Sequence, residues 1–257
     1  MVKAILLCAG RGSRLMPHTE DRPKCLLRLG HTTVLEHQLD VLERAGLREA
    51  TVVTGCMAGK VEAVLSARHG ALQTETVFNP FYAVADNLAS CWMARHAMAG
   101  DFLLINGDTL FSPGLVEAVL ASPPQPVQVT IDRKPVYDAD DMKVTLDGTR
   151  LRAIGKLLPP EESHGESIGM LRFMGEGARL FGAKLGDMMR TGEGVGAWFL
   201  RAVDALAQRE PGVGVLSIEG HVWGELDTPE DYGFAQTLFA SGALGGVKPL
   251  EAMAARG

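Results

Sequence analysis

The sequence predicts an α/β fold of three layers, in which helices flank a mixed, mostly parallel sheet and a small β-rich part is added late in the chain. Three observations carry this. Short apolar runs and amphipathic stretches alternate through the first half of the sequence. From about Pro123 the rhythm changes, and four extended runs follow with few helices between them. The chain has 257 residues, 46% of them hydrophobic and 22% charged, which is the make-up of a globular protein with one large core. Residues 1–240 are read as one domain, 123–175 as its β-rich part, and 241–257 as a Gly/Ala-rich, loosely packed tail.

Residues 3–7, Lys-Ala-Ile-Leu-Leu, form a continuous apolar run, the pattern of a strand covered on both faces. A glycine-containing loop follows at once. Val34, Leu35, Leu39 and Leu42 then recur at helical spacing across 34–45. Residues 50–54 give the next strand, 60–68 a helix, 75–78 an extended run and 88–98 a further helix. Residues 101–105 make another buried strand, ending at Asn106-Gly107-Asp108. Strand, helix, strand in this order implies parallel neighbours joined by right-handed crossovers. The later strands fall at 127–131, 142–146, 151–154 and 167–173, followed by helices at 176–189 and 197–208. Two strands, 213–218 and 221–225, precede a last helix. It opens with Thr228 as N-cap, Pro229 at the first helical position and the acids Glu230 and Asp231 in the first turn.

Charge and cysteine content exclude several roles. Twenty-five Lys plus Arg against thirty-one Asp plus Glu leave a net charge of -6, which argues against a general binder of nucleic acid or anionic membranes. The apolar run 4–9 is far too short to span a bilayer, and a cytoplasmic protein is expected. Cys8, Cys25, Cys56 and Cys91 contain no CxxC pair and no histidine at zinc-ligand spacing, so reduced core thiols are expected. The seven histidines form no HxxxH pair and no His-Asp-Ser arrangement. Met93, Met98, Met188 and Met189 read as helix core filler, and Trp92, Trp198 and Trp223 as packing residues.

The strongest chemical signal lies directly after the first strand. Ala9-Gly10-Arg11-Gly12-Ser13-Arg14-Leu15 is followed by Arg22-Pro23-Lys24. Glycines at the C-terminal end of a strand let the backbone approach a ligand and turn its N–H groups inward, as in phosphate cradles. The loop lacks the Gly-Lys-Ser/Thr of a P-loop, and Leu15 stands where GxGxxG needs its last glycine. Arg11, Arg14, Arg22, Lys24 and Arg28 concentrate positive charge in an otherwise acidic chain, which suits a polyphosphate. Two acidic segments, Asn106-Gly107-Asp108 and Trp223-Gly224-Glu225-Leu226-Asp227, end strands or precede a capped helix. Ligands of open α/β sheets bind outside the carboxyl ends of strands, so Asp108 is expected to face the glycine loop.

These segments together resemble the nucleotidyltransferase family that makes nucleoside-diphosphate sugars and CDP-alcohols, across roughly residues 2–240. The resemblance implies a Rossmann-like sheet and Mg²⁺-dependent transfer of a nucleoside monophosphate, with pyrophosphate released. It implies that Ala9, Gly10 and Gly12 hold the nucleotide, that Arg14 and Lys24 meet its phosphates as catalytic cations, and that Asp108 and Asp227 hold Mg²⁺. The segment 79–90 is similar to one in the phosphocholine cytidylyltransferase branch. There Asn87 and Ser90 would hold the nucleoside, while Asp86 replaces the first Asn of the pair. In the β-rich part Lys156, Glu166 and Gly169 match acceptor contacts, with Lys143 a weaker candidate.

CTP and a small phosphorylated alcohol or phosphonate such as phosphocholine are the favoured substrates of this resemblance. A sugar-1-phosphate uridylyl-, thymidylyl- or guanylyltransferase is the alternative. Tyr82, Tyr137 and Trp223 are the aromatics that could face a choline head group. A non-catalytic nucleotide-binding regulatory module would lack the metal aspartates or the loop lysine, and here Asp108, Asp227 and Lys24 are all present. A dehydrogenase is disfavoured by the incomplete glycine fingerprint and by Thr54-Gly55-Cys56 where a ribose-binding acid belongs.

Overall fold

The computed structural model describes residues 2–209 and 212–245. The first apolar run is β1 (Lys3–Leu7), and the glycine loop after it carries two single turns, Ser13–Leu15 and Lys24–Leu26. A two-residue hairpin, β2 (Arg28–Leu29) and β3 (Thr32–Thr33), leads into α1 (Val34–Arg44). Thr33 and Glu36 form a reciprocal capping box that fixes where α1 begins. Then come β4 (Glu49–Thr54), α2 (Ala58–Ala67), β5 (Gln73–Phe78), α3 (Asn87–Met93), β6 (Phe102–Asn106) and β7 (Thr109–Phe111). The helix expected at 88–98 is divided, because α3 stops at Met93 and a separate turn covers Arg95–Met98.

After α4 (Pro113–Ala121) the strands β8 (Val127–Asp132), β9 (Lys143–Asp147), β10 (Arg150–Gly155) and β11 (Gly165–Phe173) follow without an α-helix between them. The chain ends its described course with α5 (Glu176–Thr191), α6 (Leu200–Ala207), β12 (Gly214–Ser217), β13 (Trp223–Glu225) and α7 (Pro229–Ala240). Helix α4 has no counterpart in the sequence expectation. Its nine residues carry one charged side chain, Glu117, so they show no polar stripe from which a helical period could be read.

Among the described residues, nine strands form one sheet in the order β5-β4-β1-β6-β11-β8-β12-β10-β9. The β5–β4, β4–β1, β1–β6 and β8–β12 pairings are parallel. Those of β11 with β6, β8 and β9, and of β10 with β12 and β9, are antiparallel. The expectation of a mostly parallel sheet is therefore corrected to an evenly mixed one. Parallel neighbours need a crossover of a dozen or more residues, usually an α-helix, and the segment from β8 to β11 contains only the single 3-10 turn Pro160–Glu162. Its strands are hydrogen-bonded into the main sheet, and the β9–β11 contact closes the pairings β11–β8–β12–β10–β9 into a ring.

Alternation along the strands divides the core into two faces. Ile5, Phe102, Leu104, Leu171 and Phe173 pack with Leu88 and Cys91 of α3, Phe181 and Leu185 of α5, and Val203 of α6. Ala4, Leu6, Leu103, Ile105 and Met170 pack on the opposite face with Leu35 and Leu39 of α1, Val61 of α2 and Leu115 of α4. The three expected layers are thus present, with helices on both faces of a central sheet. Cys8, Cys25 and Cys91 are buried free thiols, and Cys56 is half-buried and free. No helix among the described residues is long and apolar enough to cross a membrane.

Helix α7 begins as read from the sequence. Thr228 Oγ1 accepts from Asp231 N at 3.2 Å, and Asp231 Oδ2 accepts from Thr228 N at 2.8 Å. Thr228→Ala removes this cap and is expected to cost about 1 kcal/mol. A calorimetric scan should show that loss as a fall in Tm of roughly 2–4 °C. Of the tail expected to be loose from 241, the described residues 241–243 and 245 are exposed. Leu244 is buried, and Arg44 Nη1 donates to Gly245 O at 2.8 Å. Residues 246–257 of that expected tail lie outside the described residues.

Candidate active site

The carboxyl end of β6 and the amino-terminal half of β11, which runs antiparallel to it, border a cleft of about 660 Å³. Its lining includes Arg14, Asn87, Asn106, Asp108, Lys156, Glu166, Gly169 and Asp227, so most of the candidate residues converge although they are spread over the chain. Lys24 is not itself in the lining but is bonded to two residues that are, Asp108 and Asp227. The turn Lys24–Leu26 is anchored by buried Cys25 and Leu26, and the stem of Lys24 lies against Gly12. Gly12 has φ +66°, and a Cβ there would stand 3.0 Å from Lys24 Cβ. Glycine is thus required both for the backbone conformation and for the close approach. Thr19 Oγ1 donates to Gly12 O at 2.8 Å and holds the loop in this shape.

Lys24 Nζ donates to Asp108 Oδ2 and to Asp227 Oδ1, both at 2.6 Å. Burial pulls the ammonium down, but the two carboxylates outweigh it and raise its pKa above the ordinary lysine value. Burial likewise pushes Asp227 up, and Lys24 and Arg14 reverse this and hold it below the usual carboxylate range. Arg14 spans the cleft mouth, with Nη2 2.8 Å from Asp227 Oδ2 and Nη1 3.0 Å from Asp140 Oδ2. Lys156 Nζ lies 3.1 Å from Asp140 Oδ1 and 5.0 Å from the centre of the Trp198 ring. Lys134 Nζ bridges Asp141 Oδ1 at 2.8 Å and Glu166 Oε2 at 3.1 Å. Burial and a hydrogen bond with Asp141 push the Glu166 carboxyl up to about 7.

A third carboxylate joins the two aspartates. Oxygen atoms of Asp108, Glu225 and Asp227 all lie within 4.8 Å of one another. Glu225 is wetted by the cleft but enclosed by its walls, and that partial desolvation, followed by the charges of Asp108 and Asp227, pushes it up to about 8. Strand pairing explains its arrival here. Glu225 of β13 pairs with Thr109 of β7, directly beside Asp108. The sequence reading passed over Glu225, and the Glu-x-Asp spacing to Asp227 was the signal that could have found it.

Other candidates are placed differently from expectation. Ser90 is buried and does not line the cleft, because its Oγ accepts from Asn79 Nδ2 at 3.0 Å and steadies the segment before α3. Asp86 occupies the N-cap of α3 without a side-chain cap, and Asn87 Oδ1 instead accepts from Phe199 N at 2.9 Å. Lys143 is buried and donates to Asp138 O at 2.7 Å, so it shapes the 138–141 segment rather than meeting a ligand. Ala9 is buried at the root of the loop, where its carbonyl accepts from Cys56 N at 3.0 Å, while Gly10 is exposed beyond it. Of the basic cluster, Arg14 and Lys24 turn toward the aspartates, and Arg22 is taken up by Asp21. Gly169, at φ +72°, lies over the Asn106 side chain, which a Cβ would strike at 2.5 Å. Among the aromatics, Trp198 and Trp223 line the cleft, whereas Tyr82 and Tyr137 do not.

The described lining contains no histidine and no cysteine. It offers cations held between carboxylates, an arrangement that can neutralise and align an anionic substrate.

A family model described as the MobA-like NTP transferase domain matches residues 4–152. The chain is 28% identical over 251 residues to the CMP-5'-(3-aminopropyl)phosphonate synthase of Streptomyces rubellomurinus, which covers 93% of this chain and 39% of that protein. It is 29% identical over 110 residues to the choline-phosphate cytidylyltransferase of Streptococcus pneumoniae, covering 43% of this chain and 46% of that one. The matches thus span less than half the length of either relative. Among solved structures, the CTP:phosphocholine cytidylyltransferase of Streptococcus pneumoniae superposes with a TM-score of 0.76 at 22% identity, over 92% of this chain and 98% of that one. The inositol-1-phosphate CTP transferase of T. maritima gives 0.77 at 19% identity, over 94% and 97%. These two likenesses are likenesses of fold.

Proposed function

The chain belongs to the MobA-like NTP transferase family, and from that premise we propose that it transfers CMP from CTP to a small phosphorylated alcohol or phosphonate, releasing pyrophosphate. The observation that carries the reading is Lys24 bridging Asp108 and Asp227 beneath the glycine loop. The choice of CTP is supported by relatives named as cytidylyltransferases and as a CMP-phosphonate synthase.

The carboxylate cluster fits a hard divalent cation such as Mg²⁺. Its donors are all oxygen, Asp108 Oδ1 is buried without a hydrogen-bond partner, and the chain's own ammonium sits between two of the carboxylates. Asp108 and Asp227, with Glu225 beside them, would hold the ion. When bound, it supplies Lewis-acid charge neutralisation at the nucleotide phosphates.

The chain's own residues do the rest by position. N–H groups of the Gly10–Gly12 loop receive the triphosphate, and Arg14 and Lys24 leave their carboxylate partners to meet its oxygens. Asn87, with its Oδ1 engaged by Phe199, has its NH₂ left to donate to the nucleoside. Lys156 orients the acceptor's anionic group, and the backbone at Gly169 and the Glu166–Lys134 pair border the acceptor space. The acceptor oxygen is already anionic near neutral pH. It attacks the α-phosphorus in line, the bond to the bridging oxygen breaks, and pyrophosphate carries away the electron pair. No general base is needed, in keeping with a lining that has no histidine or cysteine.

The test is a matrix of CTP, UTP, GTP, dTTP and ATP against phosphocholine, phosphoethanolamine, aminoethylphosphonate and several sugar-1-phosphates, read as pyrophosphate release with Mg²⁺. Release is expected with CTP and a small phosphate or phosphonate. Release with sugar phosphates alone would remove the small-acceptor reading, and no release from any pair would favour a regulatory nucleotide-binding module.

A further inference from the structure

We propose that Gln38, a residue of α1 that does not reach the cleft, is a positioning residue for the Asp108 carboxylate. Its side chain is fully buried. Its one NH₂ group donates to Asn106 O at 2.9 Å and to Thr109 O at 2.7 Å, the carbonyls on either side of Gly107 and Asp108. β6 ends at Asn106 and β7 begins at Thr109, so neither strand fixes the two residues between them. Gln38 does so from the helix side. The other sides are tied by the backbone, Gly107 N to Leu7 O at 3.1 Å and Leu226 N to Asp108 O at 3.2 Å.

The chemistry of the position favours this role over simple packing. Gln38 Oε1 is buried without a partner, a destabilising arrangement that an aliphatic residue would avoid. What the amide contributes instead is both of its N–H groups, given to one turn. Adjacent on the helix, His37 Nε2 lies 3.1 Å from Phe111 O, so α1 grips β7 at both ends. Thr109 Oγ1 then donates to Ile168 O at 3.0 Å, which links the same turn to the strand bearing Gly169. Holding both flanking carbonyls sets the backbone angles of Gly107-Asp108, and hence the direction in which the carboxylate points toward Asp227.

The inference rests on the carboxylate cluster being the metal site proposed above. The test titrates the nucleotide-free chain with Mn²⁺, followed by electron paramagnetic resonance, for the native protein and for Gln38→Leu, Gln38→Met and Leu39→Ala. Both Gln38 variants are expected to weaken Mn²⁺ binding about 10–100-fold, the usual consequence of losing a partner that orients a ligand. Leu39→Ala opens a cavity on the same helix and touches no turn carbonyl. It is expected to lower Tm while keeping Mn²⁺ affinity within about twofold. In turnover assays the Gln38 variants should raise the apparent KM for Mg²⁺ and recover most of kcat at saturating metal.

A folded Gln38 variant that binds Mn²⁺ as the native chain does overturns the proposal, as does an equal weakening in Leu39→Ala. Gln38→Met, with a flexible chain that fills the same space, keeps the test open if the leucine variant does not fold. If neither the native chain nor Lys24→Ala, which frees the carboxylates of their ammonium, binds Mn²⁺, the metal site itself falls and this inference with it, an outcome distinct from normal native binding left unchanged by the Gln38 substitutions.

Discussion

Replacing Lys24 by alanine is expected to lower turnover about 10²–10³-fold, the scale of a lost preorganised charge contact. The same change is expected to tighten Mn²⁺ binding to the nucleotide-free chain. The two effects run in opposite directions because the ammonium has two partners at different stages. Without nucleotide it is held 2.6 Å from both Asp108 and Asp227, where it competes with a cation. In the proposed mechanism it leaves them for the phosphates when nucleotide binds. Removing it leaves three carboxylates within 4.8 Å of one another without their central cation. The mutual repulsion of these carboxylates, which Arg14 offsets at Asp227 alone, destabilises the fold, so Tm in a chelating buffer should fall and recover when Mg²⁺ is added. Near-native pyrophosphate release by Lys24→Ala would sink the catalytic assignment. Weaker Mn²⁺ binding would show instead that Lys24 organises the carboxylates rather than competing for them.

Asp227→Asn should show a loss of similar size, about 10²–10³-fold in turnover. The amide oxygen keeps a polar surface but lacks the charge that holds Lys24 at 2.6 Å and Arg14 at 2.8 Å, and it is a poorer donor to a hard cation. Raising Mg²⁺ should restore part of the loss. Leu185→Ala, in the core under α5 and outside the cleft lining, provides the contrast, since it opens a cavity and should move Tm with little change in turnover. Pyrophosphate release across a Mg²⁺ series, set beside calorimetry for both variants, separates the two roles. An Asp227→Asn chain with native turnover at all metal concentrations would refute the role given to this carboxylate.

Local patterns were sufficient for much of the molecule. The apolar run of β1, the glycines after it, the Asn-Gly-Asp ending β6 and the Thr-Pro-Glu-Asp opening α7 are signals contained within a few residues, and each marks the element or turn that the fold displays. Helix α4 escaped because it is apolar nearly all round, and β7 because three residues are too few to show a period. The mixed character of the sheet was also out of reach. Alternation along β11 specifies two buried faces but not whether its neighbours run with it or against it.

The sequence by itself determined the kind of site, a basic glycine loop with two acidic segments in a chain of net charge -6. Only the tertiary structure decided who meets whom. Lys24 reaches Asp108 and Asp227 across 84 and 203 residues, Glu225 joins them through the β13–β7 pairing, and Ser90 turns inward to Asn79. Gln38 reads from the sequence as one polar residue on an amphipathic helix, and its two bonds to the Asp108 turn exist only after α1 packs on the end of β6. The physical reason is one of range. Propensity and periodicity act over one or two turns of chain, whereas electrostatic and hydrogen-bond partners are chosen by which faces of distant elements become buried together.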